Sequence, residues 1–442
     1  MKTPGARASA FWIAVALVLA LLAGVGIANA RSFPIYGGYD EVEHQAYADL
    51  LIHHGSIPGP ETRSEYYTPP GFYAVAGLGE LIAEKLGASD PWKVARGLNV
   101  LWVLGSAVFT LLIARLLFPG RTVLHLATLG FAAFVPVVLK TAAMFHPETF
   151  SLCVSTAALF LAVRMFVRRS FTLWPGVLLG LVLGAAQLIR AFTVATFAAV
   201  AVTFAVAALV EYAPRRQLLT TFAVVGACTA IVAGPWYLRQ ALKYSNPVFD
   251  RPTQEKPVWE RRPVAFYTAL GLPDVFTQPR RPNYVNNLLP TVYSDLWGDY
   301  WGNFRWGAPT LPTAAVDRQL TLQSELGLAP TALALVGWLA LLIGSLRRGA
   351  FDPARLAVGL VPLFGLLSFL YFTVSYPTPD GDVIKTAYML VTVPGWALGF
   401  GLAVGALARN LLMTIAMGIF LVGLLVMDLG FLVFDGSLTG VF

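Results

Sequence analysis

The chain has 442 residues, 57% of them hydrophobic and 12% charged, with a net charge of +7. Apolar content this high, gathered in blocks about 20 residues long, excludes an ordinary soluble domain and marks a polytopic helical membrane protein. A basic excess in such a chain serves orientation and lipid head groups, which argues against a nucleic-acid partner. The two cysteines, Cys153 and Cys228, both lie in apolar blocks and suggest neither a disulfide framework nor a cysteine metal site.

The first apolar run, Phe11 to Ala30, follows Lys2 and Arg7 and ends in Ala28-Asn29-Ala30. It has the marks of a secretory signal with a small-residue cleavage site, but its length favours an uncleaved first span. Further spans are expected at 94–118, 121–140, 147–168, 172–189, 191–210, 217–242, 329–346, 354–375, 386–407 and 410–433, about eleven crossings with the first. With the N-terminus cytoplasmic, alternate turns carry Arg115 and Arg121, then Arg164, Arg168 and Arg169, then Arg215 and Arg216, then Arg347, Arg348 and Arg355, and finally Arg409. Basic residues are thus kept to one side, with Glu211 and Asp352 the only acids among them. That parity requires 68–87, which holds Glu80, Glu84 and Lys85, to lie along the outer interface without crossing. The outer face then holds 31–93, the 140–147 turn, the turn at Arg190, the 376–385 loop and a Pro-, Arg- and Trp-rich stretch at 243–328, too long for a simple connection and expected to form an ordered subdomain or lid.

The first outer stretch, GGYDEVEHQAYADLLIHHGSIP at 37–58, gathers Asp40, Glu41, Glu43, His44, His53 and His54. Val42, Ala46, Leu50 and Leu51 follow helical spacing, so Asp40 opens an amphipathic surface helix. Asp40 with Glu43 would make a capping box. Alternatively, Asp40 offers a general base, with Glu41 and His44 beside it holding substrate or tuning its charge. A divalent ion on Glu41, His44 and a remote ligand is a third reading, though no metal-specific spacing occurs.

Asp40-Glu41, His44, Tyr47, HGSIP and YYTPPGFYAVAGL resemble the first outer loop of the GT-C glycosyltransferases related to protein O-mannosyltransferases and aminoarabinose–lipid A transferases. FHPETF, with Glu148 at the outer start of the fourth span, resembles that family's second acidic site. The resemblance covers about the first 240 residues. It implies an all-α GT-C-like bundle of about eleven transmembrane helices with outer juxtamembrane helices and an outer loop subdomain. The division would be a catalytic module at 1–242, the outer subdomain at 243–328 and a variable transmembrane module at 329–442. It also implies Asp40, Glu41 and Glu148 as catalytic residues, with Tyr66 and His146, inside the matching motifs, and His44 counted with the substrate-binding residues.

Transfer of a sugar from a lipid phosphate needs a base for the acceptor hydroxyl and cations for the departing phosphate. Lys140, Arg190 and Lys385 stand at outer span ends, where such side chains also snorkel to head groups with no ligand. Arg190 interrupts two apolar blocks, and Lys385 with Tyr388 resembles the basic-aromatic pair before a late span of the family. YSDLWGDYWGNFRWG at 293–307 carries Trp297 and Trp301 among acids and Arg305, either as interface anchors or as a sugar- or acceptor-binding surface. The expectation is an inverting integral membrane glycosyltransferase in the bacterial plasma membrane, moving a sugar from a polyprenyl-phosphate donor to a lipid, glycan or protein at the non-cytoplasmic face. The rivals are a lipid-linked sugar flippase or transporter and a non-catalytic scaffold of envelope assembly. Charges clustered at one face, with no internal repeat, disfavour the transporter.

Overall fold

The computed structural model describes residues 4–34, 36–62, 65–247, 263–280, 287–304, 314–347, 349–375 and 384–434. Among these the chain is all helical: α1 (Pro4–Ser32), α2 (Glu41–His54), α3 (Gly71–Lys85), α4 (Pro91–Leu117), α5 (Thr122–Phe134), α6 (Pro136–Ala142), α7 (Glu148–Val167), α8 (Leu173–Ile189), α9 (Val194–Leu209) and α10 (Arg215–Tyr244). There follow α11 (Val264–Thr268), α12 (Leu272–Thr277), α13 (Leu288–Trp297), α14 (Ala314–Leu326), α15 (Leu328–Ser345), α16 (Pro353–Ser375), α17 (Val393–Leu407) and α18 (Leu411–Leu432). Nine described segments are long and apolar enough to cross a membrane, and α5 with α6 makes a tenth, bent by 45°. The eleventh expected segment, α8, is apolar but only 17 residues long.

The bend differs from the single span expected at 121–140, and proline explains it. Pro136 has no amide to donate and forces Val135 into an extended conformation (φ −62°, ψ 123°), which ends α5 and starts α6 on a new axis. The expected span at 386–407 likewise begins as a 3₁₀ turn over Thr386–Thr392 before Pro394 starts α17.

Side-chain contacts fix which helix ends lie together. At one end, Arg115 stacks on Phe11 and Trp12, Arg169 on Tyr212, Arg355 on Phe118, and Tyr212 meets Phe351. At the other, Arg96 near the start of α4 donates to the carbonyls of Ala30 and Phe33 at 2.7 and 3.0 Å, and Asn29 binds Leu432 O and Phe434 N–H at 2.8 and 2.7 Å. The chain alternates between an arginine-rich end and an acidic end. Helix α3 does not carry it across: Phe72 at its start and Trp92 at the start of α4 both pack on Phe145. Both helices therefore begin at the acidic end.

Small residues bring the helices together where the bilayer supplies no hydrophobic drive. Gly176, Gly180 and Gly184 of α8 face α10, and a Cβ at Gly180 would sit 2.5 Å from the carbonyl of Val225. Gly337 of α15 and Gly399 of α17 approach more closely still. The described helices of 243–328 share this core, since Val275, Tyr293, Trp297 and Tyr300 cluster with side chains of α1, α4, α5 and α6. Helices α14 and α15 together make one candidate span, Ala314–Ser345.

Candidate active site at the acidic end

Helix α2 starts at Asp40, whose backbone is left-handed (φ 48°, ψ 26°), a conformation that Asp tolerates better than most residues. Its side chain makes no capping hydrogen bond, so Asp40 does not complete the expected capping box. The left-handed turn instead aims the carboxylate at Lys385, with which it forms an ion pair. The Asp40 side chain keeps 40% of its surface exposed, against 10% for Lys385. A ligand can reach this carboxylate.

Glu41 is sealed. Its two oxygens accept from Gly38 N–H at 2.7 Å and Phe145 N–H at 2.8 Å, and Arg96 stands 3.5 Å away. Burial raises its pKa, and these partners act against the rise. Glu41 thus fastens the start of α2 to the turn before α7. Glu148 is also fully buried, accepting from Arg190 Nε at 2.6 Å and Ser151 Oγ at 3.2 Å. Arg190 sits in the extended break after α8, donates to Thr68 Oγ1 at 3.0 Å and lies 5.1 Å over the ring of Tyr388, which stacks on Phe192. Glu148 and Thr68 thereby orient Arg190.

His44, one turn into α2, shares a 2.7 Å hydrogen bond through Nδ1 with the hydroxyl of Tyr73. Its ring meets His146 edge-on at 4.7 Å. Burial lowers the pKa of His44 to about 4 and that of His146 well below its usual value, so both rings are neutral at pH 7. His44 Nε2 and both nitrogens of His146 are buried without a protein partner, leaving them for water or a ligand. Lys385 stays protonated: burial opposes its charge, but Tyr388 and Asp40 outweigh that. It also lies 5.3 Å over the ring of Tyr39.

The remaining expected residues divide. Tyr388 belongs to the constellation, and Tyr66 lies at its edge against Tyr67 and Tyr244. Lys140 does not face it: its ammonium donates to the carbonyls of Asp295, at 2.7 Å, and Gly298, with the Asp295 carboxylate 3.6 Å away. This lysine ties α6 to α13. Trp297 is buried with its indole N–H on Thr331, and Trp301 donates to Ile384 O, so both indoles hold the segment to the bundle and neither N–H awaits a sugar. Asp295 is the peg, accepting from Tyr39 OH at 2.9 Å and Thr386 N–H at 2.6 Å. Arg305 of this motif lies outside the described residues.

Of the pair considered for a metal ion, Glu41 is engaged by amides and Arg96, and His44 Nδ1 by Tyr73. Among the described residues no three His, Cys, Asp or Glu side chains are arranged to hold a metal ion. Sequence reasoning missed Glu65, a buried carboxylate beside Thr68 whose charge acts on His44, Tyr73, Arg190, Lys385 and Tyr388. It also missed Arg96 and Asn99, the latter bonded to Met144 O and Thr149. A polar side chain inside an apolar block was the available signal for both.

No protein-family model matches the sequence, and no curated protein matches it. Solved structures do match in fold. One is archaeal oligosaccharyltransferase AglB from Archaeoglobus fulgidus with an inhibitory peptide and dolichol-phosphate, at TM-score 0.59, 14% identity, 95% of this chain and 56% of that one. ArnT from Cupriavidus metallidurans bound to undecaprenyl phosphate matches at TM-score 0.51, 16% identity, 94% of this chain and 63% of that one. The A. fulgidus oligosaccharyltransferase complexed with Zn and sulfate matches at TM-score 0.54, 14% identity, 93% of this chain and 51% of that one. The chain spans between about half and two thirds of these proteins. The chain therefore shares its fold with these ArnT and oligosaccharyltransferase structures.

Proposed function

We propose that the protein is a polyprenyl-phosphate-sugar-dependent glycosyltransferase working at the non-cytoplasmic membrane face, with Asp40 as its base. The observation that carries this reading is the exposed Asp40 carboxylate paired with buried Lys385, at the same bundle end as Arg190. A donor phosphate competes with Asp40 for Lys385 and, once bound by Lys385 and Arg190, leaves Asp40 free of its cation. The acceptor hydroxyl then gives its proton to Asp40 as its oxygen attacks the anomeric carbon, the bond from that carbon to the phosphate oxygen breaks, and the phosphate leaves with the negative charge held by both cations. Direct displacement inverts the anomeric centre. Neutral His44 and His146 offer their free nitrogens to sugar hydroxyls. Module 1–242 supplies the base and Arg190, while Lys385 comes from 329–442, so neither module makes the site alone.

That AglB and ArnT were solved with dolichol-phosphate and undecaprenyl phosphate supports a lipid-linked donor. The test is sugar transfer by purified protein from a panel of polyprenyl-phosphate sugars, wild type against Asp40→Asn. Asparagine tolerates the left-handed backbone and removes only the base. Loss of transfer in a folded variant is expected; full activity would overturn the assignment of Asp40. No transfer by either protein would favour a transporter or a scaffold.

A further inference from the structure

One buried carboxylate holds both sides of the Asp40–Lys385 pair. Asp295, in the last turn of α13, accepts from the hydroxyl of Tyr39 at 2.9 Å through Oδ1 and from the amide of Thr386 at 2.6 Å through Oδ2. Tyr39 immediately precedes Asp40 in the chain, and Thr386 immediately follows Lys385. The same segment holds the other neighbour of Lys385 as well: Trp301 Nε1 donates to Ile384 O at 3.1 Å, while Thr386 Oγ1 donates to Val292 O at 2.9 Å. A buried carboxylate needs its charge met, and the Lys140 ammonium lies 3.6 Å from Oδ1.

Lys385 carries its ammonium on a flexible four-carbon stem, so a fixed position has to be imposed by its surroundings. The backbone at 384–386 sets where the stem starts. The ring of Tyr39, 5.3 Å from Nζ, lies beneath its end. Asp295 bonds to both, to Thr386 beside the start and to Tyr39 under the end. Asp40 is a third hold, but the proposed transfer removes it, because the donor phosphate takes Lys385 away from Asp40. From then on the place of the ammonium depends on what Asp295 fixes.

We infer that Asp295 is a positioning residue for the lipid phosphate: it keeps Lys385 in place to receive that group once Asp40 lets go. It acts through Tyr39 and Thr386 and, being fully buried, does not touch the substrate itself. The inference rests on the transferase reading for the identity of the phosphate. It makes the segment 288–304 part of donor binding.

The experiment is a double-mutant cycle read by binding, in which purified wild type, Asp295→Ala, Lys385→Ala and the double variant are titrated with undecaprenyl phosphate in detergent micelles and followed by native mass spectrometry. Asp295→Ala should weaken binding by about tenfold when Lys385 is present and leave it almost unchanged once Lys385 is gone. Asp295→Asn should recover most of the affinity lost with alanine, because its amide oxygen still accepts from Thr386 N–H and its amide nitrogen can donate to the Tyr39 hydroxyl. Should Asp295→Ala fail to fold, Asp295→Ala with Lys140→Met removes both buried charges together and carries the same cycle. Equal losses with and without Lys385 would overturn the inference, as would undiminished binding by Lys385→Ala or an asparagine variant as weak as the alanine one. If the wild type binds undecaprenyl phosphate but transfers no sugar, the transferase reading fails while the cycle still decides the role of Asp295. No binding by the wild type would overturn both.

Discussion

Asp40 holds a left-handed backbone that costs about 1 kcal/mol or more for an ordinary L-residue, and the return is a carboxylate aimed at Lys385. Replacement by alanine should therefore lose both transfer and some stability, whereas Asp40→Asn should lose transfer alone, a contrast that thermal unfolding of the two variants checks. The buried Glu148–Arg190 pair makes a second prediction. Arg190→Met strands a buried carboxylate and should cost about 3–5 kcal/mol; adding Glu148→Gln should restore much of the stability without restoring transfer. Recovery of both would reduce Arg190 to a structural role. The titrating groups oppose one another. His44 and His146 bind fewer protons folded than unfolded, so their contribution is full above pH 6.5 and is lost as pH falls toward 4. Glu80 in α3, raised to about 7 by burial and by Asp49 and Glu84, binds more protons when folded, so its effect weakens the fold as pH rises from 4.5 through 7. Glu80→Gln should raise Tm at pH 8 and leave it almost unchanged at pH 4.

Helix α8 is short and apolar, and its place depends on glycine. Gly180→Leu drives a side chain into the backbone of α10 and should destabilise by about 1–3 kcal/mol or more, measurable as a lower Tm in detergent. The same change at Gly226, where a Cβ meets nothing within 4 Å, should be close to neutral. The bend at Pro136 matters for a different reason. It carries α6 across to α13, where Lys140 holds the carbonyls of Asp295 and Gly298, and through Asp295 the segment 288–304 reaches Tyr39 and Thr386. Lys140 and Asp295 thus join the indoles of Trp297 and Trp301 in holding this segment to the bundle.

Among the described residues, nine long apolar segments, the bent pair α5–α6 and the shorter α8 run between an arginine-rich end and an acidic end, and α3 begins at the latter. With the arginine-rich end cytoplasmic, Ala88→Cys should be modified by an impermeant thiol reagent in intact cells and Gly349→Cys only after permeabilisation. Labelling in the reverse order would invert the topology and move the candidate site to the cytoplasm.

By itself the sequence determined the class and most of the apolar segments, because hydropathy blocks are local signals that a bilayer enforces residue by residue. It also singled out Asp40, Arg190 and Lys385 as candidates, since a charge beside an apolar block has few places to go, and Tyr388 through the resemblance. It could not apportion their roles. Asp40 and Glu41 are neighbours in sequence, yet one is open to ligand and the other sealed by amides from Gly38 and Phe145. Lys140 and Lys385 both stand at span ends, yet one meets loop carbonyls and the other a carboxylate. Glu65 drew no notice in a polar loop. Only the tertiary structure decided these matters, because the partner of each buried charge comes from a distant part of the chain: Asp40 and Lys385 are 345 residues apart, and Lys140 and Asp295 are 155. Such pairings depend on how the helices pack, which no local pattern of residues records.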